Sequence, residues 1–143
     1  MKIVADTNIL FSILIKPSGK TYELFNTLTI KNTLFIAERT IAELSKHSNK
    51  ILKLSHLNEI EVSTFKRELL NRCKVITDLQ LPSKIIQEAY NLVKNVDLDD
   101  AAFVATTIFL KAVLWSSDKP LKKALQEKGF YNIFDSETIQ IFL

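Results

Sequence analysis

The stretch DDAAFVATTIFLKAVLWSSD, residues 99–118, decides the fold. Asp97 to Asp100 supply acids where a helix N-terminus favours them, and a helix then runs through Leu110. Ala112 to Trp115 reads as a short buried strand. Asp118 follows at once, and Pro120 opens a helix to about Glu127 that Gly129 stops. Helix, strand and helix in close succession describe a chain that crosses a sheet and returns.

The same alternation continues towards the N-terminus. Pro82-Ser83 starts a helix to about Val93, and Lys74 to Thr77 suits a short strand. Ser63 to Arg72, with Ser63 as a cap, and Asn49 to Leu57 are two helix candidates. Glu38 to Ser45 has Ile41 and Leu44 at helical spacing, Thr33 to Ala37 is a strand, and Lys20 to Thr29 is helical. Pro17-Ser18-Gly19 breaks the apolar density of Leu10 to Ile15, and Lys2 to Ala5 is a buried strand ending at Asp6. Beyond Gly129, Tyr131 to Phe134 makes a final edge strand, with a short helix after Ser136. Strands alternating with helices imply an α/β fold, a parallel sheet covered on both faces. Its ligands would bind beyond the carboxyl ends of the strands.

Four carboxylates stand at the polar ends of apolar segments: Asp6 in VADTNIL, Glu43 in TIAEL, Asp100 in LDDAAFVA and Asp118 in LWSSDKPL. Acids set against core-forming runs are costly to desolvate unless something positive neutralises them. A hard divalent cation does so through carboxylate oxygens and points to phosphate chemistry. Each acid also has a plainer reading. Asp6, with Thr7 and Asn8, and Asp118, before Lys119-Pro120, can each be a helix cap. Glu43 can be a solvated helical acid. It competes with Glu38, from which about 500° of helix rotation separates it, so only one of the two faces a shared site. Asp100 shares a helix face with Phe103 and Val104, Asp99 could flank the site, and Asp97 has the better claim to a cap. Ser116, two residues before Asp118, could orient a carboxylate or a phosphate oxygen. Four acids at compatible strand ends do not share one plain explanation.

Composition narrows the alternatives. The chain has 143 residues, 47% apolar and 24% charged, with two glycines and three prolines, which suits one domain over 1–143 without linkers. Nineteen basic residues against sixteen acidic leave a formal charge of +3. If the acids converge, the remaining surface is more basic than that total and could hold a phosphate backbone. Lys16, Lys20, Arg39, Lys46, Lys119 and Lys122 lie near the acid-bearing segments. The lone Cys73 allows no intrachain disulfide, and a reducing, cytoplasmic setting follows. The opening apolar run is interrupted by Asp6 and Asn8, so it makes a poor signal peptide and is too short and polar for a membrane span. His47 and His56 are too far apart for a one-face zinc pair, and no serine elbow or phosphate-cradling glycine loop is present.

VADTNIL, TIAEL and DDAAFVATTIFLKAVLWSSD, in that order and nearly end to end, resemble the PIN domain family, especially the small single-domain ribonucleases typified by VapC toxins. The resemblance implies a PIN-like three-layer α/β/α fold with a central parallel sheet of about five strands. It implies an acidic quartet, Asp6, Glu43, Asp100 and Asp118, binding Mg²⁺ or Mn²⁺, with Asn8, Ser116 and Asp99 in support. From their nearness to the acid-bearing segments, and not from the resemblance, Lys16, Lys20, Arg39, Lys46 and Lys119 are the candidates for RNA backbone contacts, each with ordinary solvation as its plainer reading. The implied activity is a metal-dependent endoribonuclease that leaves a 5′-phosphate and a 3′-hydroxyl. A small antitoxin would place an Arg or Lys in the acidic pocket, and homodimers are common in such proteins. The alternative is a catalytically inactive PIN-like RNA-binding or scaffold module. A haloacid-dehalogenase-like phosphatase would want a second aspartate where this chain has Asn8. The chain departs from the family pattern at Asp99, an extra acid, and at Lys111-Ala112, where many relatives place a glycine.

Overall fold

Strand and helix alternate from residue 2 onward in the computed structural model, which describes residues 1–142. The strands are β1 (Lys2–Ala5), β2 (Thr33–Ala37), β3 (Lys74–Ile76), β4 (Val113–Trp115) and β5 (Ile133–Phe134). They pair in parallel in the order β3-β2-β1-β4-β5. Parallel pairing needs a crossover between successive strands, and helices supply every one.

The helices are α1 (Thr7–Ile15), α2 (Lys20–Lys31), α3 (Glu38–Lys46), α4 (Ser48–Ser55), α5 (Glu59–Asn71), α6 (Ser83–Val93), α7 (Ala101–Leu110), α8 (Lys119–Glu127) and α9 (Ser136–Phe142). Alternate strand residues face opposite layers, as the pleat requires. Ile3, Leu34, Ile36, Val113 and Trp115 pack against Leu10 of α1, Phe25 of α2, Ile51 of α4, Leu69 of α5 and Ile139 of α9. Val4, Phe35, Ala37, Ile76, Leu114 and Ile133 pack against Val93 of α6, Val104 of α7 and Leu125 of α8. The register agrees: Ile3 aligns with Leu34 and Val113, and Val4 with Phe35 and Leu114. The fold is therefore the three-layer α/β/α arrangement with a five-stranded parallel sheet.

The structure completes one local reading and corrects two. The apolar stretch from Leu10, to which the sequence assigns no element, belongs to a helix that begins at Thr7 with Asp6 as its cap, in agreement with the cap reading of Asp6. Its apolar residues nearly encircle it, so no amphipathic stripe announces a helix. The helix expected from Ser63 begins at Glu59 instead. Asn58 accepts the Glu61 N–H at 2.8 Å, and the Glu61 carboxylate accepts the Asn58 N–H at 3.1 Å, a reciprocal cap that starts α5 earlier. The helix expected to be capped by the run 97–100 is split. Asp97 caps a 3-10 turn, Leu98–Asp100, by accepting the Asp99 N–H at 2.9 Å, and α7 starts only at Ala101. At Gly129 the expected stop holds: φ is +85°, and the Phe130 N–H reaches back to the Leu125 carbonyl at 2.9 Å. Among the described residues no helix is long and apolar enough to cross a membrane.

Candidate metal centre

Strand order reverses beside β1, which runs towards β2 and β3 on one side and towards β4 and β5 on the other. The connections leaving β1 and β4 thus diverge, and a crevice opens beyond their carboxyl ends. Asp6 ends β1, and its N–H binds the Trp115 carbonyl at the end of β4 at 3.1 Å. Asp118 lies three residues beyond Trp115. Asp100 stands at the head of α7, which leads back to the start of β4, so its N-terminus lies at this same edge. Glu43 sits on α3, the helix leaving β2.

These four acids line one recess of about 150 Å³ together with Thr7, Asn8, Asp97, Asp99 and Phe103. Larger grooves exist, including one of about 500 Å³ lined by Pro17, Tyr22, Ile60 and Phe65, but they lack this convergence of acids. Glu38 turns the other way: its carboxylate accepts the Asp78 N–H, in an adjoining recess. Of the two competing helical glutamates, Glu43 is the one that lines the acidic pocket.

Two of the acids are caps and pocket residues at once. Asp6 accepts the Ile9 N–H at 3.1 Å as the N-cap of α1, and Asp118 accepts the Leu121 N–H at 3.0 Å as the N-cap of α8. In each case the Oδ1 atom makes the cap. Ser116 links the two: its buried hydroxyl accepts the Asp118 N–H at 3.1 Å and hydrogen-bonds the Asp6 carboxylate. Asp100 makes no capping bond, because Asp97 already caps the preceding turn. Its Oδ2 is buried with no hydrogen-bond partner among the described residues.

An orphaned carboxylate oxygen is costly, and the titration behaviour follows. Burial, then the charges of Asp118, Asp97, Asp6 and Asp99, push the Asp100 carboxyl up to about 7. Burial also pushes Asp6 up to about 6, assisted by Asp118 and opposed by the hydrogen bonds from Ser116, Ile9 and Asn8. The all-oxygen donor set and the orphaned Oδ2 fit a hard divalent cation. The acids do not form a closed coordination sphere: among the described residues no three acidic, histidine or cysteine side chains meet at that spacing. Mutual repulsion accounts for such spreading.

The basic residues divide. Arg39 and Lys46 line the recess next to the acids, with Glu43 as a shared wall. Lys119 is exposed and directly follows Asp118. Lys16 is at the C-terminal end of α1, about 15 Å along the helix from Asp6, and Lys20 faces a recess with Glu23 and Gln140. The structure does not bring Lys16 or Lys20 to the pocket. Lys122 pairs with Asp135 at 3.5 Å.

Sequence reading missed three contributors. Thr7 and Thr40 are buried and share a 3.1 Å hydrogen bond that ties the head of α1 to α3, one turn before Glu43. Asp97 lines the pocket as well as capping its turn. The only signal for the threonines was their place inside the DTN and TIAEL motifs. Cys73 lies outside this pocket, and burial pushes its thiol up to about 12, which disfavours the thiolate.

The PIN domain model matches residues 4–129. PAE2754 from Pyrobaculum aerophilum is similar over 99% of this chain and 96% of its own, at 19% identity and a TM-score of 0.68. VapBC2 from Rickettsia felis, solved bound to a DNA fragment from its promoter, is similar over 94% and 98%, at 19% identity and 0.64. VapBC-1 from nontypeable Haemophilus influenzae is similar over 96% and 99%, at 18% identity and 0.63. No curated protein sequence matches the chain. The three structures share its fold, and with the family pattern running from the first strand to the turn after α8, the chain belongs to the PIN domain family.

Proposed function

We propose that this chain is a Mg²⁺- or Mn²⁺-dependent endoribonuclease, the toxin of a toxin–antitoxin pair, acting in the cytoplasm and restrained by a small antitoxin. The observation that carries the reading is the buried, unpartnered Oδ2 of Asp100 in a recess shared with Asp6, Glu43 and Asp118. A protein that only bound RNA would gain nothing from such a pocket, because unneutralised acids repel phosphate. Family membership supports nuclease chemistry, and the fold shared with VapBC structures supports an antitoxin partner.

Asp6, Glu43, Asp100 and Asp118 would hold the cation, with Ser116 and the α1 cap fixing the direction of Asp6. A bound divalent ion supplies charge neutralisation, a more acidic water and stabilisation of the leaving oxygen. In the hydrolysis, the water oxygen bonds to phosphorus as the bond from phosphorus to the 3′-oxygen breaks. One water proton ends on that oxygen, leaving a 3′-hydroxyl and a 5′-phosphate. Arg39, Lys46 and Lys119 surround the acids and suit the flanking backbone.

The test incubates the purified chain with pooled tRNA, rRNA and mRNA in Mn²⁺, Mg²⁺ or EDTA, beside Asp100→Asn. Discrete fragments that need metal, and fall at least 100-fold in the variant, are expected. Equal cleavage by Asp100→Asn would remove that residue from the site. No cleavage together with no metal binding would favour the scaffold alternative.

A further inference from the structure

Among the described residues, Arg39 is the one basic residue paired inside the acid cluster. Its Nε donates to Glu43 Oε1 at 3.1 Å, one helical turn along α3, and its Nη2 lies 2.7 Å from Asp99 Oδ1 across the mouth of the recess. The guanidinium thus joins α3 to the 3-10 turn before α7, two walls of the pocket that are sixty residues apart in the chain. The pairs are partly exposed, with side-chain exposures of 41% for Arg39, 31% for Glu43 and 69% for Asp99. Bonds of that kind are weak enough to exchange.

The geometry points to Arg39 as an internal counter-ion that competes with the divalent cation for Glu43 and, once displaced, binds a phosphate oxygen of the RNA backbone. The inference rests on the metal-dependent nuclease reading and deepens it. Three physical points carry it. The guanidinium occupies Glu43 Oε1 and leaves only Oε2 for a cation, and it sets a positive charge beside any ion that Oε2 would hold. A guanidinium carries five N–H donors in a rigid fork, and the two pairs engage only Nε and Nη2. Arg39 also lines the second recess, which shares Glu43 with the acid pocket and where Lys46 supplies another positive charge, so a backbone passing from one recess to the other would meet the fork. Arg39 is therefore a different kind of residue from Lys119 or Lys46: its charge acts against metal loading and in favour of substrate.

That opposition of sign makes the proposal testable. Mn²⁺ affinity is measured by calorimetry without RNA, and the affinity of a non-cleavable oligoribonucleotide is measured separately. Both are done for wild type, Arg39→Gln and Arg39→Lys, with thermal melts as the folding control. Arg39→Gln should bind Mn²⁺ on the order of threefold more tightly, with the gain shrinking as salt rises. The same variant should bind the oligonucleotide more weakly, with a salt slope shallower by about one. Arg39→Lys keeps the charge but not the fork, so it should restore only part of the RNA affinity. A purely structural clasp would lower both affinities in Arg39→Gln, and that result overturns the proposal. Unchanged Mn²⁺ affinity overturns it too. A wild-type chain that binds no Mn²⁺ would overturn the metal reading itself, and this proposal with it.

Discussion

Asp6 shows that a helix cap and a place in the acid pocket, which the sequence sets as rivals, are compatible in one side chain. Its Oδ1 caps α1, while the carboxylate also faces three other acids and a serine hydroxyl. Asp118 repeats the arrangement at α8. Cap and ligand were competing readings only because a sequence shows one residue where a carboxylate offers two oxygens. Arg39 was harder to read. Its position was visible, but its pairing with Asp99 spans sixty residues and no periodicity reports it. Lys16 and Lys20 were misplaced because nearness along the chain does not survive a nine-residue helix pointing away from the pocket.

The residue scale also sets the pH dependence. Asp6 and Asp100 titrate at about 6 and about 7 in the folded chain, against 3.8 for a free side chain. Between about pH 4 and 7 the native state therefore holds more protons than the unfolded state, and stability falls as pH rises through that range. Urea melts in EDTA should give a less stable protein at pH 8 than at pH 5 from these two groups. Added Mn²⁺ should recover stability most at the higher pH, where the acids are ionised. Asp6→Asn keeps an oxygen for the Ile9 N–H and removes a buried charge. At pH 8 without metal it should be more stable than wild type by about 1–3 kcal/mol, while losing metal-dependent cleavage. Equal melts for the two proteins would contradict the buried-charge account.

At the scale of elements, strands and most helices were legible because each has a clear period or a punctuating residue. Boundaries failed where two local signals competed, as at Asn58 and Ser63, where the reciprocal cap with Glu61 wins. α1 goes unassigned in the sequence for a different reason: contacts on several sides make its buried sequence apolar nearly all round. The turn from α7 to β4 carries a departure from family pattern that has a backbone meaning. Lys111 adopts φ 51° and ψ 46°, left-handed geometry that disfavours a side chain, and its N–H closes the helix on the Ile108 carbonyl at 3.1 Å. Lys111→Gly should relieve that strain and stabilise the fold by up to about 1 kcal/mol, with cleavage unchanged. A lowered melting temperature would show that the lysine side chain contributes more than its backbone costs.

The whole molecule explains why the acids meet. A parallel sheet whose strand order reverses beside β1 opens its crevice there, and β1, β4, α3 and α7 each deliver one acid to that edge. This convergence was legible as topology before any distance was known, since Asp6 and Asp118 each follow a strand. The detailed spacing was not, because carboxylate positions depend on repulsion and on hydrogen bonds such as that from Ser116. The central claim is that this edge is a divalent-cation site. The most direct test is anomalous diffraction at the manganese edge from crystals grown with Mn²⁺. The account predicts a peak within carboxylate-bonding distance of Asp6, Asp100 and Asp118, at about 2.0–2.3 Å from Asp100 Oδ2. A structure with Mn²⁺ at millimolar concentration and no peak in this recess, its carboxylates deprotonated, would contradict it.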